Sequence, residues 1–271
     1  DYYDYTRRFY KYMWHGATGG IHYGFWTKNI KNHKEALLNT NKVLAHEAGI
    51  AESDYVLDAG CGVGGSAIWL AENIGCKVQG ITITQSQIVK ANQSTQDKNL
   101  EEKLTFTRQD FLNTNFPDAM FDVVWAVESV CHAEDKGNFI KEAYRVLKNG
   151  GRLIMSDGFL MREPSNHKER KWLNDFLEGW ALLNLASKES FTKSLSEAGF
   201  KNIKVTNMKK EVLPEARKIH RMTMWGYPLT KVTQALGLTS PILTKNNLGG
   251  LAQYHLIKED IMNHLVIYAE K

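Results

Sequence analysis

The sequence has 271 residues, a hydrophobic fraction of 43% and five prolines, so it can bury a sizeable core in one or two domains and shows no long disordered tract. Its net charge of +4 is mild and no long block of Lys or Arg occurs, which disfavours a nucleic-acid-binding protein. No apolar run approaches the roughly 20 residues of a membrane-spanning helix, so no membrane span is expected.

Aromatic side chains crowd the N-terminal segment, where ten Tyr, Phe and Trp residues precede Asn32. Extra segments near the carboxyl ends of a parallel sheet often cover a ligand site, so residues 1–35 are expected to form a lid. The alternative is that most of these aromatics only pack against extra helices. The chain opens at Asp1 without Met or a signal-like segment, which predicts a trimmed N-terminus.

Strand-like runs alternate with helical patterns through the middle of the chain. This alternation indicates βαβ units and a parallel sheet with helices on both faces. Asn149-Gly150-Gly151 is interpreted as a helix stop followed by the start of a strand. The expected strands cover 55–59, 77–83, 104–109, 121–127 and 151–157, with helices starting at 64, 85 and 136.

The C-terminal part contains a helical segment over 166–186, a helix from Ser190 and two strands over 201–208 and 261–269. The insert 211–258 separates those strands and contains a hinge candidate, Gly249-Gly250. We expect a single domain. Its core would comprise 36–159, 188–210 and 259–271, and its helical cap over the site would comprise 160–187 and 211–258.

Four glycines at positions 60, 62, 64 and 65 follow the first strand-like run, which ends at Asp58-Ala59. Glycine lets the chain turn sharply and lets a ligand approach the backbone without obstruction by a Cβ atom. The stretch therefore predicts a strand, a nucleotide-binding turn and a helix whose N-terminus faces the ligand. The alternative is an ordinary strand–glycine turn with an incidental Asp58.

The kind of nucleotide is indicated by where carboxylates occur. Gly60-x-Gly62-x-x-Gly65 fits the dinucleotide fingerprint. However, Asp58 would repel a pyrophosphate, and the next strand ends without the acidic residue that usually holds an NAD ribose. S-adenosylmethionine carries a sulfonium, an ammonium and no phosphate, so it suits a glycine turn beside a carboxylate.

Four blocks resemble, in order and spacing, the class I S-adenosylmethionine-dependent methyltransferases: LDAGCGVGGSAIWLAE, VQGITITQSQIVKAN, FDVVWAVESVCHAEDK and YRVLKNGGRLIMSD. The subgroup resembled is that of small-molecule enzymes related to tocopherol, sterol and sarcosine/dimethylglycine methyltransferases. The resemblance covers about residues 1–200. It implies an α/β, Rossmann-like fold, with a mostly parallel seven-stranded sheet, an antiparallel edge strand and helical lid segments.

The resemblance also implies how the cofactor is bound. Thr82 and Gln87 would bind the ribose hydroxyls, which an acidic residue binds in many relatives. The alternative for Gln87 is an exposed helix residue without a role in binding. Asp110 would lie near the adenine amino group and Phe111 against the ring, and the segment around His22 would fold over the cofactor. The implied contacts are Asp58, Gly60, Gly62, Gly64, Thr82, Ile83, Gln87, Asp110, Phe111, Val127, His22, Tyr23 and Tyr10.

His132 and Glu128 are the candidate catalytic residues, because they follow the fourth strand, where cofactor and acceptor should meet. An imidazole with an unperturbed pKa of about 6.5 suits proton removal at neutral pH. The alternatives are that His132 orients the acceptor or is structural. Glu128 is suited to orient a cationic or hydroxyl acceptor.

The remaining chemistry-bearing residues point to no further site. Cys131 is interpreted as core, because direct methyl displacement needs no covalent intermediate. No His or Cys spacing indicates a metal site. Three cysteines without paired spacing favour a reduced, cytoplasmic compartment.

Together these patterns predict methyl transfer from S-adenosylmethionine to a small, partly apolar acceptor by direct displacement under a lid. The accepting atom (N, O or C) cannot be read from the sequence. The alternatives are a Rossmann-type NAD(P)-dependent oxidoreductase and a catalytically silent S-adenosylmethionine-binding partner. The expected partner is the small-molecule acceptor, and a homodimer is left open.

Overall fold

One seven-stranded sheet organises the computed structural model, which describes residues 19–20 and 22–271. The strands are β1 Tyr55–Ala59, β2 Lys77–Thr82, β3 Leu104–Arg108, β4 Phe121–Val127, β5 Leu147–Leu160, β6 Lys201–Asn207 and β7 Met262–Glu270. The helices are α1 His33–Glu47, α2 Gly65–Asn73, α3 Gln85–Asp97, α4 Lys136–Val146, α5 His167–Gly179, α6 Lys188–Glu197, α7 Lys209–Ala235 and α8 Pro241–Lys258. A short 3₁₀ turn, Val130–His132, lies between β4 and α4.

The strands follow the order β3-β2-β1-β4-β5-β7-β6. The first five run parallel to their neighbours, whereas β7 is antiparallel to both β5 and β6. The strand order reverses between β1 and β4, and ligands of open α/β sheets bind outside the carboxyl ends of the strands at such a reversal. The predicted mostly parallel, seven-stranded sheet with an antiparallel edge strand is confirmed.

The centre of the sheet is buried on both faces. Val56 on β1 and Val123, Val124 and Trp125 on β4 have no exposed surface. Parallel strands covered by helices on both faces are nearly continuous apolar runs, which is why β1 and β4 could be predicted from the sequence. These two strands fix the position of the glycine turn and of the segment that follows β4.

β5 is longer than the sequence indicated and starts directly after α4. The register pairs Phe121 with Leu147 and then Val123 with Arg152, so β5 contains extra residues opposite β4. Gly150, with a φ of +76°, lies among these extra residues. The interpretation of Asn149-Gly150-Gly151 as a helix stop was therefore wrong, because these residues form an irregularity inside the strand.

One helix boundary and one whole helix also differ from the predictions. The helical segment expected up to Ala186 ends at Gly179, and Ala181 beyond it has a left-handed φ of +55°. Helix α1 was not predicted. Its signal was present, because the Asn32 side chain accepts a hydrogen bond from the Glu35 N–H, and this spacing is typical of a helix N-cap.

The Gly249-Gly250 pair lies inside α8 and not at a hinge. A Cβ atom on Gly179 of α5 would lie 2.7 Å from the backbone of Gly249, so α5 and α8 approach each other at their glycines. Gly250 packs in the same way against Thr223 of α7. The hinge interpretation was wrong, because the two glycines allow three helices to pack closely.

The segment that precedes α1 is bonded to the helical cap. The Trp26 N–H donates to the Glu211 carbonyl at 2.9 Å, and its indole Nε1 donates to Glu215 Oε2 at 2.7 Å. Glu215 is fully buried and also lies 3.0 Å from His33 Nδ1. Loss of a partner from a buried carboxylate is costly, so these bonds fix the segment on α7.

We predict that Gly64→Ala is destabilising by about 2–4 kcal/mol, because Gly64 has a φ of +86° and an added Cβ would lie 2.8 Å from the Phe106 ring. Gly62→Ala is the matched control, since Gly62 has a φ of +55° but no atom within 4 Å of an added Cβ. Its expected cost is about 1–2 kcal/mol from the backbone strain alone. Urea unfolding measures both. Equal losses for the two variants would contradict the packing of Gly64 on Phe106.

Candidate active site

A cavity of about 920 Å³ lies at the carboxyl ends of the central strands. Residues that follow β1, β2, β3 and β4 form its floor. Its roof is formed by side chains of α5, α7 and α8 together with Gly19, Gly20, His22 and Tyr23. The cavity therefore lies at the strand-order reversal, where this topology favours a ligand.

The glycine turn after β1 forms one wall. Gly60 has a φ of +93°, and a Cβ there would overlap the Ser129 side chain, so no other residue fits between β1 and the segment after β4. Gly62 lines the cavity with open space around it. Gly64 lies beside the cavity and not in its lining, so its place in the predicted cofactor set has no support from the geometry.

Asp58, the last residue but one of β1, is a buried carboxylate on the cavity wall. Its Oδ2 has no hydrogen-bond partner within the described part of the chain. Burial raises the pKa of Asp58 to about 7, and a hydrogen bond from the Ala67 backbone only partly opposes this. A bound cation would relieve the penalty for ionising this group.

The ends of β2 and β3 form the adjacent wall. The Thr82 hydroxyl donates to Gln87 Oε1 at 2.7 Å, and both residues line the cavity. Ile83 is 63% exposed, so it lies at the rim. Asp110 accepts a hydrogen bond from the Leu112 N–H at 2.9 Å, and the ring of Phe111 packs edge-on against Phe139.

The segment after β4 separates the floor from the roof. Val127, Glu128 and His132 all line the cavity. Glu128 has a φ of +47°, which is uncommon for a residue other than glycine and is often found at functional sites. Its Oε1 accepts hydrogen bonds from the Tyr23 N–H at 2.6 Å and from His264 Nε2 at 3.0 Å.

His132 is held in place by its neighbours. Its ring bonds to the backbone of Ala181, and burial lowers its pKa, so the imidazole is neutral at pH 7. The Lys136 ammonium donates to the carbonyls of Cys131 and Ala133 on one side and of Asn184 on the other. This ammonium therefore ties the turn that carries His132 to the loop after α5.

The N-terminal contacts divide into two groups. His22 and Tyr23 line the cavity, whereas Tyr10 lies outside the described residues. The Tyr23 hydroxyl donates to Gln253 Oε1 at 2.6 Å, and its ring lies 4.7 Å from the ring of His264. Burial lowers the pKa of His22, so this side chain is also neutral at pH 7.

Sequence reasoning missed Asp157 and His264. Asp157 is buried on the cavity wall, where it accepts hydrogen bonds from the Cys131 and Gly158 N–H groups, and burial raises its pKa. His264 lies on β7 and is paired with Gly158, so only the antiparallel register brings it to the site. No local pattern around His264 could have shown this.

Cys131 is not a nucleophile in this setting. Burial raises the pKa of its thiol well above the usual range, and the nearby Asp157 and Glu128 carboxylates add to the shift. A thiol reacts as its thiolate, so this cysteine is unreactive. Within the described residues, no group of three or more His, Cys, Asp or Glu is arranged to hold a metal ion, and no helix could cross a membrane.

Comparison with known proteins agrees with this geometry. The family model described as "Methyltransferase domain" matches residues 57–155, from β1 to β5. The chain contains a methyltransferase domain. The matched span includes the glycine turn and the carboxyl ends of β1, β2, β3 and β4, so the predicted resemblance to methyltransferases is confirmed.

The curated relatives include the sterol 24-C-methyltransferase of Eremothecium gossypii. It is 32% identical over 237 residues, which cover 84% of this chain and 59% of that enzyme. The chain thus spans less than two thirds of the length of this relative. The methyltransferase domain is the part that the two proteins share.

Solved structures share the fold over nearly the whole chain. A protein described as a sarcosine dimethylglycine methyltransferase from Galdieria sulphuraria has a TM-score of 0.81 at 20% identity and covers 98% of both chains. The [4+2]-cyclase SpnF has a TM-score of 0.78 at 22% identity and covers 99% of this chain and 93% of its own. At this level of identity the likeness concerns the fold alone.

We predict that Asp58→Asn stabilises the ligand-free protein at alkaline pH. Folding raises the pKa of this carboxyl from 3.8 to about 7. Ionisation of Asp58 therefore destabilises the folded protein above pH 3.8. This loss of stability grows as the pH rises and reaches a constant value above pH 7. The variant should gain about 4 kcal/mol at pH 8 and about 1 kcal/mol near pH 4.5.

Urea unfolding of wild type and variant across this pH range gives the difference in their free energies of unfolding. The titration of all other groups contributes equally to both proteins and drops out of this difference. Asp97→Asn on the exposed face of α3 is the control and should show no such trend. A stability difference that does not change with pH would contradict the unpaired burial of Asp58.

Proposed function

We propose that this chain transfers a methyl group from S-adenosylmethionine to a small, largely apolar acceptor by direct displacement. The observation that carries the proposal is the buried Asp58 carboxylate, whose Oδ2 has no hydrogen-bond partner among the described residues. This carboxylate lines the cavity beside the glycine turn. A carboxylate in this position favours a cationic ligand and disfavours a pyrophosphate. The methyltransferase domain over 57–155 supports the same conclusion.

The described residues fit the chemical groups of this cofactor. Asp58 would hold its cationic amino-acid part. Gly60 and Gly62 line the cavity beside Asp58, and the open space around Gly62 would allow the cofactor to approach the backbone closely. The Thr82 hydroxyl engages the amide oxygen of Gln87, so the amide N–H groups of Gln87 are the donors available for ribose hydroxyls. When bound, the cofactor supplies an electrophilic methyl group that the acceptor atom displaces.

Ile83, Asp110 and Phe111 follow the neighbouring strands β2 and β3 and line the cavity floor, so they are proposed to surround the adenine and ribose. Val127, at the end of β4, lines the floor on the other side of β1 and is proposed to contact the cofactor there. His22 and Tyr23 are proposed to close over the cofactor. The bond from the Tyr23 N–H to Glu128 supports this role, since it joins the N-terminal segment directly to the end of β4. A closed cover excludes water, which would otherwise compete for the methyl group.

The acceptor is proposed to occupy the part of the cavity under the cap. A volume of about 920 Å³ is near the upper end of the usual range for one drug-sized ligand, roughly 300–1,000 Å³, so it can hold a cofactor and an acceptor together. The side chains contributed by the cap are mainly apolar, which favours an apolar acceptor. They include Phe176, Trp180, Leu182, Leu185, Ile219 and Met222.

His132 and Glu128 are proposed as the catalytic pair. His132 is neutral at pH 7 because burial lowers its pKa, so it can accept a proton from an N–H, O–H or C–H acceptor. Glu128 carries a carboxylate on the same wall and can orient a hydroxyl or a cationic centre. The enzyme otherwise acts by alignment, because the displacement itself needs no covalent help.

The first test is cofactor binding by calorimetry. S-adenosylmethionine should bind and NADH should not. Asp58→Ala should weaken binding about 10- to 100-fold, the usual value of a charge-assisted contact. Asp97→Ala, outside the cavity, is the control. Binding of NADH without any response to S-adenosylmethionine would support the oxidoreductase alternative and contradict the proposal.

The second test is turnover of His132→Ala. If His132 accepts a proton, turnover should fall about 10²- to 10⁴-fold with unchanged cofactor affinity. Because burial lowers the pKa of His132 below its ordinary value, wild-type turnover should not fall between pH 8 and pH 7 and should decrease when the pH is lowered through this pKa. If His132 only orients the acceptor, the acceptor KM rises instead.

His167→Ala, at the exposed start of α5, controls for the loss of an imidazole outside the cavity. Wild-type kinetics for His132→Ala with both substrates would remove this residue from the site. Cofactor binding without any formation of S-adenosylhomocysteine from a panel of apolar acceptors would support the silent-partner alternative.

A further inference from the structure

Exposed apolar side chains concentrate on the second half of α7 and on the residues directly after it. Nine large hydrophobic residues are largely exposed in the described part of the chain, and six of them lie between Met224 and Leu238. A concentration of this kind marks an interaction surface more often than chance exposure does. Scattered exposed residues such as Val89 on α3 need no such explanation.

Four of the six form one stripe. Three of them, Trp225, Leu229 and Val232, lie on α7, and Leu236 caps its C-terminus. They are spaced by four, three and four residues, which brings them onto one face of the helix. Their exposed fractions are 83%, 64%, 59% and 67%. We call these four residues the α7 stripe.

The stripe reaches the rim of the cavity. Trp225 and Leu229 line the cavity although most of their surface faces solvent, so they lie where the cavity opens. Leu183, which follows α5, lines the cavity and is 65% exposed in the same way. An apolar surface thus continues from the outside of the cap into the proposed acceptor space.

The charge around the stripe has one sign. Residues 216–258 contain six Lys and Arg residues and no Asp or Glu. Lys218 and Arg221 precede Trp225 by seven and four residues, so they extend the stripe along the same face. No carboxylate of the described chain lies within ion-pair distance of Lys218, Arg221 or Lys231.

We propose that α7 docks on an anionic lipid surface, with the α7 stripe in the acyl boundary and Lys218 and Arg221 at the headgroups, and that the apolar acceptor passes from the lipid into the cavity at Trp225. An amphipathic helix with basic residues beside an apolar face, including a Trp, is suited to this interface. A contact between two copies of this face would bring like charges together, which disfavours a dimer here. Only the passage of the acceptor rests on the proposed function.

The test is flotation of the full chain with lipid vesicles. Vesicles of equal parts phosphatidylcholine and phosphatidylglycerol should carry the protein, and vesicles of phosphatidylcholine alone should carry much less. The double variant Val232→Glu and Leu236→Glu, neither of which lines the cavity, should reduce partitioning at least about tenfold. Lys218→Gln and Arg221→Gln should each reduce it about fivefold.

Val89→Glu is the matched control, because Val89 is exposed to 60% on α3 and lies outside both the stripe and the cavity. It should float like wild type. Calorimetry with S-adenosylmethionine on every variant should give wild-type affinity, which shows that the fold is intact. Failure of the proposed function would appear as absent cofactor binding in wild type, whatever the flotation result.

Three results would overturn the proposal. One is the lack of a lipid contact through the α7 stripe, seen either as wild-type protein that does not float with either vesicle or as a double glutamate variant that floats like wild type. Another is a wild-type dimer in light scattering that the double variant dissociates, without flotation, which would make a second copy the occupant. The third is flotation only after deletion of residues 1–18, which would assign the stripe to the chain's own N-terminal segment.

Discussion

The burial of Asp58 without a full set of partners is the constraint around which the site is built. The carboxylate stands at the end of a fully covered strand, so solvent cannot stabilise its charge, and its pKa rises to about 7. A cation in the cavity removes this penalty, whereas a phosphate would add to it. The burial that disfavours the ionised Asp58 carboxylate therefore favours a cationic ligand. The glycine turn beside it has no Cβ atoms, so that ligand can approach the backbone.

The N-terminal segment connects the sheet and the cap. Tyr23 bonds to Glu128 at the end of β4 and to Gln253 of α8, while Trp26 bonds to Glu215 of α7. All three acceptors are side-chain oxygens, and Gln253 and Glu215 are fully buried. One short segment therefore sets the distance between the floor and the roof of the cavity, which is what a reaction that depends on alignment requires.

Much of the sheet and of the cavity floor could be predicted, because the signals are local. Fully buried parallel strands are apolar runs, and the glycine turn after β1 has a fixed spacing. The roof could not be predicted so well. Gly249-Gly250 is a packing contact between helices, and His264 reaches the site only through its register with Gly158. Such contacts join residues that are far apart in sequence, so no local pattern in the sequence predicts them.

The charge state of Asp58 decides which ligand the cavity accepts, and proton release on cofactor binding tests this charge state most directly. Calorimetry at pH 6 in buffers of different ionisation enthalpy gives the number of protons released. With a pKa of about 7, roughly nine tenths of the empty protein carries a protonated Asp58 at this pH. We expect wild type to release nearly one proton and Asp58→Asn to release none. Equal proton release by the two proteins would contradict this expectation.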